Sequence, residues 1–289
     1  MTLPRMGIGL PTFGPYAGPQ AITTVAAAAE RLGYHSVSVS ERLLLPAGPE
    51  WSNDAGLPAS HVWDPIEALT WAAASTTRVR VGTAVMIALF QPPIILARRL
   101  ATLDALSGGR LDVGLGQGWL PEEFTATGVA MSRRGRGFEE YVAALRACWA
   151  PDPVQFEGAR YQLPLSIVGP KPSGQLPIYI GAVARPAVER AARLADGFIG
   201  AVRTWADTRN EIGWYRDAGG IGPVVLRCAH PDREPVAFAA NFVATALADL
   251  ENAADVGAAE VHWDMNLASV PTEKQVELLE VLATKVSGG

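Results

Sequence analysis

Along the chain, short runs of apolar and often β-branched residues, bounded by Gly or Pro, alternate with longer Ala- and Leu-rich segments whose apolar positions recur at helical spacing. The short runs predict eight strands, at residues 6–10, 35–40, 80–86, 111–116, 178–181, 198–201, 224–228 and 260–263. Several are almost continuously apolar, the pattern of parallel strands covered on both faces. The segments between them carry helix signals. In residues 20–32, Ile22, Val25, Ala26, Ala29 and Leu32 share one face and Gly33 supplies the stop. Asp64 before Pro65 is the pairing of an N-cap and a first-turn proline, predicting a helix to about Ser75. Glycines in residues 106–110 end another helix just before the strand that starts at Leu111. Eight βα units in succession predict an α/β fold of the (β/α)₈ TIM-barrel type. Two stretches exceed the minimal unit, residues 43–61 and 150–171, and are expected as insertions at the C-terminal mouth or rim, where the βα loops gather. No linker separates a second unit, so one barrel domain is expected over residues 1–289.

Composition narrows the function classes. With 49% hydrophobic and 18% charged residues, the chain has the material for a large core. A formal charge of −5, without a block of basic residues, argues against a nucleic-acid partner. The start lacks the features of a signal peptide, and the longest apolar stretch, residues 81–97, is broken by Gln91, Pro92 and Pro93. A cytoplasmic protein without a membrane span is therefore expected. Cys148 and Cys228 lie 80 positions apart with no local Cys or His partner, and read as buried small apolar residues. His35, His61, His230 and His262 are scattered singly without ligand spacing, so no metal site is expected.

The common catalytic signatures do not occur: there is no nucleophile elbow, Walker loop or His-Glu-x-x-His helix. Gly114-Leu-Gly116-Gln-Gly118 offers three glycines, but the third is misspaced for a dinucleotide fingerprint. Attention moves to strand ends. These offer Thr12 and Phe13 after the first strand, Ser40, Glu41 and Arg42 after the second, Thr83-Ala84-Val85 in the third, and Gly116-Gln117-Gly118 after the fourth. Two readings stand: small residues here let a flat ring approach the backbone, or the glycines simply make tight βα turns. Gly181-Ala182-Val183, just before a helix that begins near Pro186, reads either as a phosphate seat at a helix N-terminus or as an ordinary βα turn.

Residues 81–86 (Val-Gly-Thr-Ala-Val-Met), 101–110 (Ala-Thr-Leu-Asp-Ala-Leu-Ser-Gly-Gly-Arg) and 114–124 (Gly-Leu-Gly-Gln-Gly-Trp-Leu-Pro-Glu-Glu-Phe) resemble, in order and spacing, the central block of the luciferase-like oxidoreductases, and specifically the actinobacterial branch that uses the deazaflavin F420. Ser132-Arg-Arg-Gly-Arg136, residues 177–181 and Ala195-Asp-Gly-Phe198 extend the resemblance, which runs from about Met6 to Val286. It implies a barrel, usually a homodimer, with a coenzyme ring over the C-terminal strand ends. It further implies a non-proline cis peptide at Ala84–Val85 forming a bulge against the ring, with Thr12, Thr83, Ala84, Val85, Gly116 and Gly118 around the coenzyme and Gly181, Ala182 and Val183 holding its phosphate. Arg133, Arg134 and Arg136 would either meet the acidic F420 tail or form a solvated rim.

Two departures bear on mechanism. Where some sugar- and alcohol-oxidising relatives carry Asp-His after the second strand, this chain has Glu41-Arg42, and where a carboxylate follows the fourth strand it has Trp119. Neither Arg42 nor Trp119 can accept a hydroxyl proton, which favours reduction of a small, fairly apolar substrate over alcohol oxidation. Glu41 is expected either to orient the ring or to pair with Arg42. Phe13, Trp51, Trp63 and Trp119 are candidate walls of the substrate pocket, and His262 and Asp264 are weaker candidates for contacting substrate. The alternatives are an FMN-dependent monooxygenase, a barrel that binds F420 or flavin without turnover and, more distantly, a cofactor-free lyase or hydrolase.

Overall fold

The computed structural model describes residues 2–288 except 55, 59 and 231. Strand β1 (Arg5–Gly9) leads through α1 (Pro19–Arg31) to β2 (Ser36–Val39), and α2 (Pro65–Ala74) leads to β3 (Arg80–Thr83) and β4 (Met86–Ile87). After α3 (Pro93–Ser107) come β5 (Leu111–Gly116), the short α4 (Pro121–Thr127), α5 (Arg136–Trp149) and an antiparallel hairpin of β6 (Val154–Glu157) and β7 (Gln162–Ser166). The second half is regular: β8 (Ile178–Gly181), α6 (Arg185–Leu194), β9 (Gly197–Val202), α7 (Trp205–Asp217), β10 (Val224–Cys228), α8 (Pro235–Asp255), β11 (Glu260–Trp263) and α9 (Thr272–Ser287). All ladders in the main sheet are parallel, and the pairing of β3 with β5 closes it into a barrel of eight staves. β3 and β4 are one stave interrupted at Ala84–Val85.

The expected signals act where they stand. The Asp64 carboxylate accepts from the Ile66 N–H at the start of α2, and Gly108, at φ 70°, ends α3 ahead of β5. Outward-facing residues such as Ile8, Val37, Val81, Leu115, Ile180, Leu226 and Val261 are fully or almost fully buried beneath the helices.

Inside the barrel the packing is tight and partly polar. The His262 ring bonds Ser38 Oγ at 2.8 Å through Nδ1 and Glu260 at 2.7 Å through Nε2, and Ser36 donates to the same carboxylate. Burial opposes charge on Glu260, but His262 and Ser36 hold its pKa down to about 2. His262 is thus engaged on both ring nitrogens and does not line the large mouth cavity, although it lines the smaller adjoining one that shares Arg227 and Asp264 with it. Gly7 is glycine for the same reason: a Cβ there would sit 2.5 Å from the His262 ring.

Of the two long insertions, only one reaches over the mouth: Gly56, Leu57 and Pro58 from residues 43–61 line the cavity there, Ala55 and Ala59 lying outside the described residues. The segment 150–171 instead folds as the hairpin beside α5. Its turn is tied by Glu140, which accepts from the N–H groups of Arg160 and Tyr161 at 2.7 and 2.9 Å. No residue of it lines the cavity.

At Gly114 an added Cβ would run into the Thr83 carbonyl oxygen, a backbone atom of the neighbouring stave. Gly114→Ala is therefore expected to destabilise by about 1–3 kcal/mol, the range of core overpacking. A denaturation midpoint equal to that of the parent chain would contradict this packing.

Candidate active site

The C-terminal ends of the staves surround a cavity of about 800 Å³, a size suited to a coenzyme-scale ligand. Its shelf comes from the broken stave. The peptide Ala84–Val85 is cis, as the resemblance implied, and the Val85 side chain lies against both Gly116 and Gly181 at the barrel mouth. A Cβ at Gly116 would lie 2.7 Å from Val85 Cγ2, and one at Gly181 would lie 2.8 Å from Val85 Cγ1. The two glycines therefore do not leave an empty slot, as small strand ends suggested; they admit Val85, which forms the flat apolar surface in their place.

Glu41 secures this surface from both sides. Its N–H donates to the Val85 carbonyl at 3.1 Å, and its carboxylate receives the Ile87 N–H. Burial pushes its pKa up to about 7, with the Ile87 bond opposing and the carboxylates of Asp64 and Glu123 reinforcing the rise. The anticipated Glu41–Arg42 pair does not form. Arg42 instead donates to Glu123 Oε2 at 3.0 Å and stacks over the Trp119 ring, 5.1 Å from its centroid. Glu123 Oε1 also receives the Leu43 N–H at 2.8 Å. This almost fully buried carboxylate on α4 escaped the sequence reading, although its place in the first turn of a helix after Pro121 was a usable signal.

Opposite the shelf, the turn from β8 into α6 exposes backbone donors. Among the described residues the N–H groups of Val183 and Ala184 make no hydrogen bond, and no side chain caps α6. Beside them Gln117 Nε2 is buried without a partner, while Gln117 Oε1 receives Arg190, itself held by Glu139 at 2.9 Å. Unsatisfied donors converging on a helix N-terminus fit an anionic group such as a phosphate.

The remaining candidates separate. Ala84, Val85, Gly116, Gly118, Gly181, Ala182 and Val183 all line the cavity, with Glu41, Arg42 and Trp119 at its edge. Thr83 and Thr12 do not: the Thr83 hydroxyl donates to Gly114 O at 2.7 Å and accepts from Gly114 N at 2.9 Å, and Thr12 is buried under the first stave end. Phe13 and Trp119 line the cavity, whereas Trp51 and Trp63 stand away from it. Of the three arginines, Arg134 faces the cavity, Arg133 turns to Tyr161 on the hairpin, and Arg136 is exposed. Asp264 lines the floor with Arg227, a residue the sequence reading did not single out.

A parallel barrel with a ligand-sized, one-sidedly apolar mouth and an anion seat at a helix N-terminus has the build of a coenzyme-dependent barrel enzyme. Comparison with known proteins gives the family: residues 5–272 match the luciferase-like monooxygenase family, and the chain belongs to it. It is 35% identical over 195 residues, 64% of its length, to an uncharacterized protein of Mycobacterium tuberculosis, 69% of which is covered. Over 204 residues it is 33% identical to an F420-dependent glucose-6-phosphate dehydrogenase of Nakamurella multipartita, covering 69% of this chain and 57% of that one. In fold it matches the monooxygenase RslO1 of Streptomyces bottropensis with a TM-score of 0.77 at 24% identity, over 98% of this chain and 99% of that one.

Since the Glu41 pKa is raised from 4.5 to about 7, an unfolded chain releases this proton before the folded one does. Its contribution is neutral below the unfolded value and turns against folding as pH rises from 4.5 to 7. The cost above that window is at most about 3 kcal/mol. Glu41→Gln should flatten this part of the pH–stability curve, as read by melting temperature across the window. Parallel curves for the two proteins would refute the assignment.

Proposed function

We propose that this protein is an F420-dependent oxidoreductase that favours reduction of a small organic substrate. The observation that carries the reading is the Val85 shelf flanked by the anion seat of Val183, Ala184 and Gln117, and the Nakamurella relative, named as F420-dependent, supports it. A bound deazaflavin supplies hydride transfer; the rest of the chemistry belongs to the chain's own residues. Val85 would support the ring, the N–H groups of Val183 and Ala184 together with Gln117 Nε2 would hold a phosphate, and Arg134 would face the acidic tail. Phe13, Leu57 and Trp119 would exclude water from the reacting face.

Reduction is favoured because the two departed positions hold Arg42 and Trp119, neither of which can accept a hydroxyl proton, and because the neighbouring Glu123 is committed to Arg42 and Leu43 while Glu41 spends one oxygen on Ile87. A homodimer, which the resemblance implies, would cover the exposed apolar strip of Trp71, Ile95 and Leu106 on α2 and α3.

The test is to titrate the purified chain with F420 and with FMN, following fluorescence. Saturable F420 binding without FMN binding, followed by substrate-dependent reoxidation of reduced F420, is the expected result. FMN binding alone would replace this reading with a flavin monooxygenase, and binding of neither would end both. Gly181→Ala is expected to weaken F420 affinity because its methyl displaces Val85, and Val85→Ala in the same chain should restore much of the loss. Equal affinities across the three proteins would refute the shelf.

A further inference from the structure

Four arginines line the mouth cavity, and three of them are held by protein. Arg42 bonds Glu123, Arg134 bonds the Met131 carbonyl, and Arg190 bonds Glu139 and Gln117. The fourth, Arg227, stands on the inward face of β10, level with Ala201 of β9 and His262 of β11. Among the described residues its guanidinium makes no hydrogen bond and has no carboxylate oxygen within 4.0 Å. Removal from water works against its charge, and the nearby Asp264 favours it.

Asp264, just past the end of β11, lines the same floor and is fixed in orientation. Its Oδ1 receives two bonds from Asn266, from the backbone N–H at 2.8 Å and from Nδ2 at 2.7 Å, and Nδ2 also donates to the Leu10 carbonyl at 2.9 Å. The backbone of β1 backs it closely, since a Cβ at Gly9 would lie 3.2 Å from its carboxyl group. Oδ2 accepts no hydrogen bond from the described residues. Adjacent staves thus present a donor-only group and an open acceptor to one cavity, without closing on each other.

Neither the Arg227 guanidinium nor Asp264 Oδ2 takes a hydrogen-bond partner from the described residues, so a ligand entering the cavity can supply one to each. A simple carboxylate ligand would satisfy Arg227 but be repelled by Asp264. A hydrocarbon would satisfy neither. What complements both is an edge carrying a carbonyl oxygen beside an N–H. We propose that Arg227 and Asp264 form a recognition pair for such an amide or imide edge, with Arg227 donating to the carbonyl oxygen and Asp264 Oδ2 accepting from the N–H. The inference rests on the functional reading above and deepens it. The edge has two possible sources, the imide of a deazaflavin or flavin ring and an amide or imide in the substrate, and the chemistry at the pair is the same for both.

Two pairs of probes separate the sources, each titrated from about pH 6 to about pH 9 because burial raises the pKa of the Asp264 carboxyl while Arg227 and Asn266 oppose the rise. The chain alone is titrated with lumiflavin, a tricycle whose imide N–H is its only N–H and which carries no phosphate, and with 3-methyllumiflavin, in which that N–H is blocked, following ligand fluorescence. The F420-saturated chain is titrated with succinimide and N-methylsuccinimide by calorimetry. A preference of about tenfold or more for the N–H form, the worth of a charge-assisted hydrogen bond, is expected in one pair. In the first pair it assigns the edge to the coenzyme ring, in the second to the substrate.

Asp264→Asn keeps a carbonyl for Asn266 but turns the open acceptor into a donor, and should abolish the preference. Arg227→Met should weaken the N–H and N-methyl forms alike. Because Arg227 has no partner among the described residues to lose, that variant should melt at or above the temperature of the parent chain, which separates lost recognition from lost folding. Equal binding within both pairs, no binding by any of the four probes, or a preference that survives Asp264→Asn overturns the proposal. Should the parent chain bind neither F420 nor FMN, the functional reading fails on its own, and the lumiflavin pair still decides whether Arg227 and Asp264 recognise the edge.

Discussion

The architecture of the mouth turns on Glu41, which grips the interrupted third stave on either side of its break. Its amide holds the Val85 carbonyl, and its carboxylate holds the Ile87 amide where pairing resumes with β5. Between those two bonds the chain turns Val85 inward, and the space it needs exists only because Gly116 and Gly181 lack side chains. Ala84 is anchored from the other direction, its N–H donating to the Val39 carbonyl at 2.7 Å. A carboxylate drawn out of water this far is a costly clasp, and the rise in its pKa expresses that cost.

A second carboxylate does for the rim what Glu41 does for the shelf. Glu123 joins the backbone after β2 to α4 through Leu43 and Arg42, and Arg42 lies over Trp119. The two positions at which relatives were expected to carry acid–base groups are therefore bound to each other as a structural unit. The long loop after β2 starts from this fixed point and brings Gly56, Leu57 and Pro58 over the cavity. Its entrance is positioned by an ion pair whose Glu123 side chain is only 2% exposed, so either partner lost alone would leave a buried charge behind.

Much of the fold was legible because barrel staves write themselves as apolar runs and their helices as Ala- and Leu-rich faces; all eight staves fall where the pattern placed them. The break at Ala84–Val85 was invisible to periodicity, since residues 80–86 read as one unbroken strand, and only the family resemblance pointed to it. Aromatic and proline punctuation marks residues 150–171 as an excursion to the mouth or rim without choosing between them; the hairpin stays out of the cavity, its turn meeting Glu140 and Arg133 beside the mouth-lining Arg134. Site residues divided along similar lines. Glycines and the phosphate-side turn stood out by type, but Glu123, Gln117 and Arg227 matter through partners gained or lacking in three dimensions. Thr83 failed as a coenzyme contact because a hydroxyl beside a backbone that needs both a donor and an acceptor is consumed locally, here by Gly114.

The barrel interior shows how polar groups are divided between folding and binding. In its lower part the polar groups answer one another: Glu260 is met by His262 and Ser36, and Arg80 holds Asp112 with two bonds at 2.6 and 2.7 Å. Towards the mouth that closure stops. Gln117 Nε2, the amides of Val183 and Ala184, Arg227 and Asp264 Oδ2 all belong to the lining of the same cavity and take no partner among the described residues. Folding alone gains no hydrogen bond from these groups, which leaves them available to a ligand. The open groups also differ by side, donors clustered near α6 and a donor–acceptor pair across the floor at β10 and β11, with the apolar Val85 shelf between them. A ligand that completes all three must be flat and apolar in the middle, anionic at one end, and edged elsewhere with a carbonyl beside an N–H.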